Sequence, residues 1–284
     1  MMRQLITRYI PGFLLLTGCM INSGSQPLSE KPIAKTPVQE AVLHNIPFSD
    51  TACKTIHVVV ALCSNRYQGV VPVPNRIGDG KDPANNLYWG CGFGIRTFFK
   101  NSKDWKLLSA YRKDTFILER LIFRHATSKC YLVADAYDGQ YIKQGMIDFF
   151  SSCAGIIKDT VHLGDKILGI NGNSGLIAYV GHDGLMDFDI ENSFENTDGQ
   201  QRSSIMMSCA SSVYFAHHMR STKAFPLIWT TGLMCPEAYT LHEALTGYMN
   251  KETNEEIRLR VAQVYARYQK CSIAAAGNLF KTGW

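Results

Sequence analysis

The sequence lacks any apolar run of the roughly 18 residues that a membrane-spanning helix requires. It also carries little charge, 19% of residues, with a formal net charge of +5 over 284 residues. Set against 46% hydrophobic residues, that excludes a chain kept unfolded by its own charge. No block of clustered Lys or Arg occurs, so nothing points to nucleic acid. Nine cysteines are too few for a disulfide-built miniprotein, and 23 Gly and 10 Pro exclude a collagen-like chain. No Cys-x-x-Cys pair is present, which excludes a zinc ribbon and a thioredoxin-type site. His242-Glu243 is followed by Thr246 where a zinc-protease helix needs its second His. Gly90-x-Gly92 has Ile95 where a dinucleotide fingerprint needs Gly, and there is no Walker loop and no Gly-x-Ser-x-Gly elbow. No motif implies a metal or a cofactor.

What is present begins with an address. Residues 1–18 carry Arg3 and Arg8, no acid, and then the apolar run from Tyr9 to Leu16. This is the layout of a secretory signal. It ends Leu16-Thr17-Gly18-Cys19, which resembles the bacterial lipobox, so Cys19 is expected to be the lipid attachment point. Cleavage before Cys19 removes two positive charges from an already small excess. The implied location is the bacterial cell envelope, held to a membrane by acyl chains without spanning it. Met20 follows the cysteine, which by analogy with lipoprotein sorting permits the outer membrane where the organism has one. Residues 19–52 are polar and contain Pro27, Pro32 and Pro37; they read as a tether.

Residues 53–284 read as one α/β domain. Apolar runs at 57–63, 129–134, 176–180, 204–208 and 226–231 have the form of buried strands, and 116–123 is a mixed strand candidate. Asn85-Asn86 is positioned to cap a helix through Leu87, Cys91, Gly94 and Phe98. Ile142, Met146, Phe149 and Phe150 follow helical spacing. Thr253 with Glu256 forms a capping box ahead of a stripe of Ile257, Val261, Val264, Tyr268 and Cys271. Strands alternating with helices predict a mostly parallel sheet with helices on both faces, whose ligands bind at the carboxyl ends of the strands.

Two of those strand ends carry reactive residues. The 176–180 run leads into Gly181-His182-Asp183-Gly184, and the next run leads into Cys209-Ala-Ser211 and a helix through His217. The interval suits one right-handed crossover between parallel neighbours. A thiol at a helix N-terminus is favoured as thiolate, and a nearby imidazole can take its proton. The Gly184 and Cys209 amides would face a developing oxyanion.

This arrangement resembles the caspase–legumain–gingipain superfamily of cysteine peptidases, in which one apolar strand ends in His-Gly and a later one in Ala-Cys or Ser-Cys. The stretches carrying the resemblance are 176–184 and 204–211, together with Leu185–Phe188 and the Leu227–Thr231 strand, which are similar to the legumain branch. The resemblance implies a caspase-like three-layer sandwich, a His182/Cys209 dyad and peptide or protein substrates. Asp183 stands between the His and the Gly, and Met207 occupies the position where the legumain branch has an acid. Arg66, after the first strand, and Glu237, beyond the 226–231 strand, are candidate substrate-binding residues that imply opposite charge preferences. Asp183, Asp187 and Asp189 surround His182 and read as a solvated acidic loop, with imidazole orientation and cation binding as the alternatives. The expected function is a membrane-anchored cysteine peptidase. The alternative is an inactive caspase-like surface lipoprotein serving as a binding or scaffold module.

Overall fold

A computed structural model describes residues 54–284; the signal segment, Cys19 and the tether lie outside the described residues. All described residues belong to one compact unit. No helix among them is long and apolar enough to cross a membrane. The domain is an α/β sandwich. Its strands are β1 (Lys54–Ala61), β2 (Trp105–Tyr111), β3 (Ile117–His125), β4 (Cys130–Tyr137), β5 (Lys158–Leu163), β6 (Lys166–Asn171), β7 (Leu176–Val180), β8 (Ser203–Met207), β9 (Phe225–Thr230) and β10 (Phe280–Lys281). The helices are α1 (Ile95–Asn101), α2 (Ile142–Cys153), α3 (Ser211–Tyr214), α4 (Ala216–Thr222), α5 (Ala238–Asn250), α6 (Asn254–Gln269) and α7 (Ile273–Leu279).

Eight strands form one sheet in the order β10-β9-β8-β7-β1-β4-β3-β2. The central β9-β8-β7-β1-β4 run is parallel, as the continuous apolar runs predict. β10, β3 and β2 add antiparallel edges. All five residues of β7 are buried, each large apolar side chain contributing about 1.5–3 kcal/mol by leaving water. Side-chain alternation divides the core between two faces. Ile56, Val58 and Val60 of β1 pack with α1, α5 and α6, whereas Val59 and Ala61 pack with α2 and α4. The β5–β6 hairpin covers Ile122 of β3 and Tyr131 and Val133 of β4.

The capping box forms as its residues require: Thr253 Oγ1 accepts from Glu256 N at 3.3 Å, and the Glu256 carboxylate accepts from Thr253 N at 2.7 Å. The expected helix from Asn85 does not form. Residues 85–94 are turns, and the helix begins only at Ile95. Asn86 is fully buried and fastens the end of β1 instead, accepting from Cys63 N at 3.0 Å and donating to Cys63 O at 2.9 Å. With its side chain used there, Asn86 caps no helix, and Gly90, Gly92 and Gly94 weaken any helix through them. The helix expected after Cys209 is split into α3 and α4 at Phe215.

Candidate active site

His182 and Cys209 emerge on one rim. β7 and β8 are hydrogen-bonded parallel neighbours whose last matched pair is Val180 with Met207. Each candidate stands two residues beyond that pair, on chains that run about 4.8 Å apart while paired. Gly181 N–H still donates to Met207 O at 3.2 Å, so the two chains stay together past the ladder. Gly181 has φ +146°, and a Cβ there would stand 2.8 Å from Ala61 O, so the turn into His182 requires glycine.

His182 is held once at its backbone and once at its ring. The Tyr179 hydroxyl donates to His182 O at 2.7 Å. His182 Nε2 lies 2.8 Å from Asp187 Oδ2, which also accepts from Gly69 N at 2.7 Å. A carboxylate partner places the imidazole proton on Nε2 and leaves Nδ1 as the free base. Nδ1 makes no hydrogen bond among the described residues. The acidic segment is therefore not a uniformly solvated loop: Asp187 orients His182, and Asp183 is fully buried. Gln68 sets the approach of Gly69, donating from Nε2 to Leu62 O at 2.8 Å and to Gly139 O at 3.1 Å.

Cys209 is held by the loop after β9. Its Sγ lies 3.4 Å from Met234 N, which donates to it, and 3.5 Å from Met234 O, to which the thiol donates. Ala210 follows at φ +46°, an uncommon conformation for a residue with a Cβ, and is held by its N–H to Gly232 O at 2.8 Å. Ser211, the third residue of the Cys-x-Ser motif, ties the two strand ends together. Its hydroxyl donates to Met206 O at 3.2 Å and accepts from Thr230 N at 3.0 Å.

The electrostatics differ from the expected thiolate. Burial pushes the Cys209 thiol above its ordinary value; the Met234 N–H opposes this and the Asp183 carboxyl adds to it. The helix that opens after Cys209 has four residues, too short to reverse that effect. Burial also pushes Asp183 up to about 7, against the pull of the Leu185 N–H and with repulsion from Asp187. Asp183 Oδ2 and Ser208 Oγ are buried without a hydrogen-bond partner among the described residues. Alkylation of Cys209 by iodoacetamide at pH 6 is expected to be about tenfold slower than that of exposed Cys271, because only thiolate reacts. Asp183→Asn removes a repelling carboxylate and is expected to speed labelling at pH 8 about threefold. Peptide mass mapping reads both rates; Cys209 labelling as fast as Cys271 at pH 6 contradicts a Cys209 thiol pushed above its ordinary value.

Gly184 opens a single 3-10 turn, Gly184–Met186, and is buried; a Cβ there would meet the Phe188 ring at 2.5 Å and Met146 Sδ at 2.8 Å. Neither the Gly184 nor the Cys209 amide donates to another described residue. The two charged candidates join neither His182 nor Cys209. Arg66 is exposed, lies over the Tyr67 ring at 5.2 Å and lines a separate cavity of about 330 Å³ with Asn65 and Asp79. Glu237 precedes α5, and its carboxylate accepts from Gln269 Nε2 at 3.0 Å. Each cysteine among the described residues is a free thiol. Met234 and Gly69 are site residues without a motif: each contributes backbone only, and no side-chain pattern marks it.

Comparison with protein-family models, with curated proteins and with solved structures gave no match.

Proposed function

We propose that this chain is a cysteine peptidase whose nucleophile is Cys209 and whose base is His182. The observation that carries the reading is the matched β7–β8 register, which sets both residues two positions past the same pair, with Asp187 on the far nitrogen of the imidazole. In the first step the Cys209 thiol gives its proton to His182 Nδ1 and the sulfur adds to a peptide carbonyl carbon. The Gly184 and Cys209 N–H groups stabilise the resulting oxyanion. The C–N bond then breaks as His182 returns the proton to the leaving amine, leaving a thioester. Water, deprotonated by His182, hydrolyses the thioester and regenerates the thiol. Asp187 holds the imidazole in the tautomer these transfers need.

A raised thiol pKa suits a site in which the proton moves only once substrate displaces water. The lipobox-like Cys19 supports attachment to a membrane of the bacterial envelope, with a peptide or protein as the substrate. The test is hydrolysis of a peptide library by the wild type and by Cys209→Ala. Products from the wild type alone are expected, and equal product in both overturns the reading.

The second reading, an inactive binding module, is favoured by one observation. Both backbone groups of Met234 engage the thiol in place of His182. It predicts no hydrolysis by the wild type.

A further inference from the structure

The rim around Cys209 is edged with exposed apolar side chains. Scattered single exposures of this kind are ordinary; these follow consecutive strand ends of one sheet. Met186 follows β7, Val213 follows β8 and Leu233 follows β9. Leu233 is 75% exposed and Val213 66% exposed. Both are tied to the nucleophile's own turn. Leu233 stands between Gly232, which accepts from Ala210 N at 2.8 Å, and Met234, whose N–H and C=O both touch the Cys209 sulfur. Val213 N donates to Ala210 O at 2.8 Å. Tyr88, 7% exposed, interacts with the Cys209 thiol and packs in the same core cluster as Met234 and the fully buried Met207.

Of the charged groups already described, Asp183 is buried with its Oδ2 unpartnered among the described residues, and the others have partners. Asp187 is held by His182 and Gly69, Glu237 by Gln269, and Arg66 lies over Tyr67. A charged substrate side chain brought against Leu233 and Val213 would lose hydration without gaining a counter-ion. An apolar side chain loses no hydration there and gains by covering exposed apolar surface.

Resting on the peptidase reading, we propose that the residue whose carbonyl Cys209 attacks carries a bulky apolar side chain, and that Leu233 and Val213 are its contacts. The test is a set of tetrapeptide coumarylamides ending in Leu, Phe, Asn, Asp, Lys or Arg, assayed with the full-length protein. kcat/KM for Leu and Phe is expected to exceed that for Asp and Arg by about tenfold or more. Leu233→Ser is expected to raise KM for the Leu substrate about tenfold, and Leu233→Asp to move the preference toward Arg and Lys. Ile273→Ser, which removes another exposed apolar side chain, on α7, is expected to leave the preference unchanged. Hydrolysis led by Asp, Lys or Arg overturns this inference and leaves the peptidase standing. Hydrolysis of none of them, together with none of the peptide library, overturns both.

Discussion

Asp135→Ala is expected to lower the melting temperature by about 10 °C. Asp135 is 1% exposed and sits in β4 between two cationic or polar partners on the neighbouring strands. Arg120 of β3 donates to both its oxygens at 2.6 Å, and His57 Nε2 of β1 lies 3.0 Å away. His57 Nδ1 in turn accepts from Asn171 N at 3.3 Å, which places the imidazole proton on Nε2, facing Asp135. Burial alone would push the Asp135 carboxyl up, but the Arg120 and His57 hydrogen bonds outweigh it and hold the group well below the usual carboxylate range. Alanine leaves the Arg120 guanidinium, 4% exposed, without its counter-ion. Breaking a buried pair in this one-sided way costs about 3–5 kcal/mol. At about 2–4 °C per kcal/mol for a domain of this size, the shift follows. The sign with pH is fixed by the depressed value. The contribution is complete above the unfolded-state pKa of about 3.9 and is lost as pH falls toward the folded value. Thermal melts of the wild type and Asp135→Ala at pH 7, followed by circular dichroism, measure it. A difference under about 1 kcal/mol would show that the network adds nothing to stability.

That network was not legible in the sequence. Arg120 and Asp135 lie in two strands with no motif, and only the register of β3 on β4 makes them partners. The elements that were legible share one property: their apolar residues are contiguous or periodic. β7 was read to the residue, β8 and β9 within one, and α6 from its capping box. The α/β class and the parallel centre follow from those runs. What failed was punctuated by residues with a second role. Asn86 reads as a helix cap because its side chain suits one, yet it caps the end of β1. The β5–β6 hairpin has too few buried positions to show an alternation, since five of the six β5 residues are partly or fully exposed. α5 begins without a side-chain cap, so nothing local marks its start at Ala238. At the rim, His182 and Cys209 were readable because each ends an apolar run. Asp187 was only one of three aspartates in a loop. Which of them meets the imidazole depends on the 3-10 turn over Gly184–Met186, and the turn depends on how tightly Gly184 packs against Phe188 and Met146.

Asp187 and His182 are expected to separate in magnitude and in kind when replaced. His182→Ala removes the base and the acid of the proposed cycle, and hydrolysis of the best peptide substrate is expected to fall by about 10³–10⁴-fold in kcat/KM. Asp187→Asn keeps the side-chain volume and can still accept from Gly69 N, so the loop stays in place. It changes only what faces Nε2. An amide accepts a proton from imidazole less strongly than a carboxylate and can instead present its own N–H, which favours the tautomer protonated on Nδ1. That tautomer cannot take the thiol proton. The expected loss is about 10²–10³-fold in kcat with KM nearly unchanged, because an interaction that matters only in the transition state has been removed. Asp187→Glu, which preserves the charge, is expected to recover part of the rate. Rescue by the conservative variant distinguishes orientation from scaffolding. A purely structural role would lower the fraction of folded protein, with kcat falling in proportion to that fraction. Equal losses in Asp187→Asn and His182→Ala, with a shared drop in melting temperature, would show that Asp187 only holds the rim together; a loss under about threefold would show that His182 finds its tautomer without it.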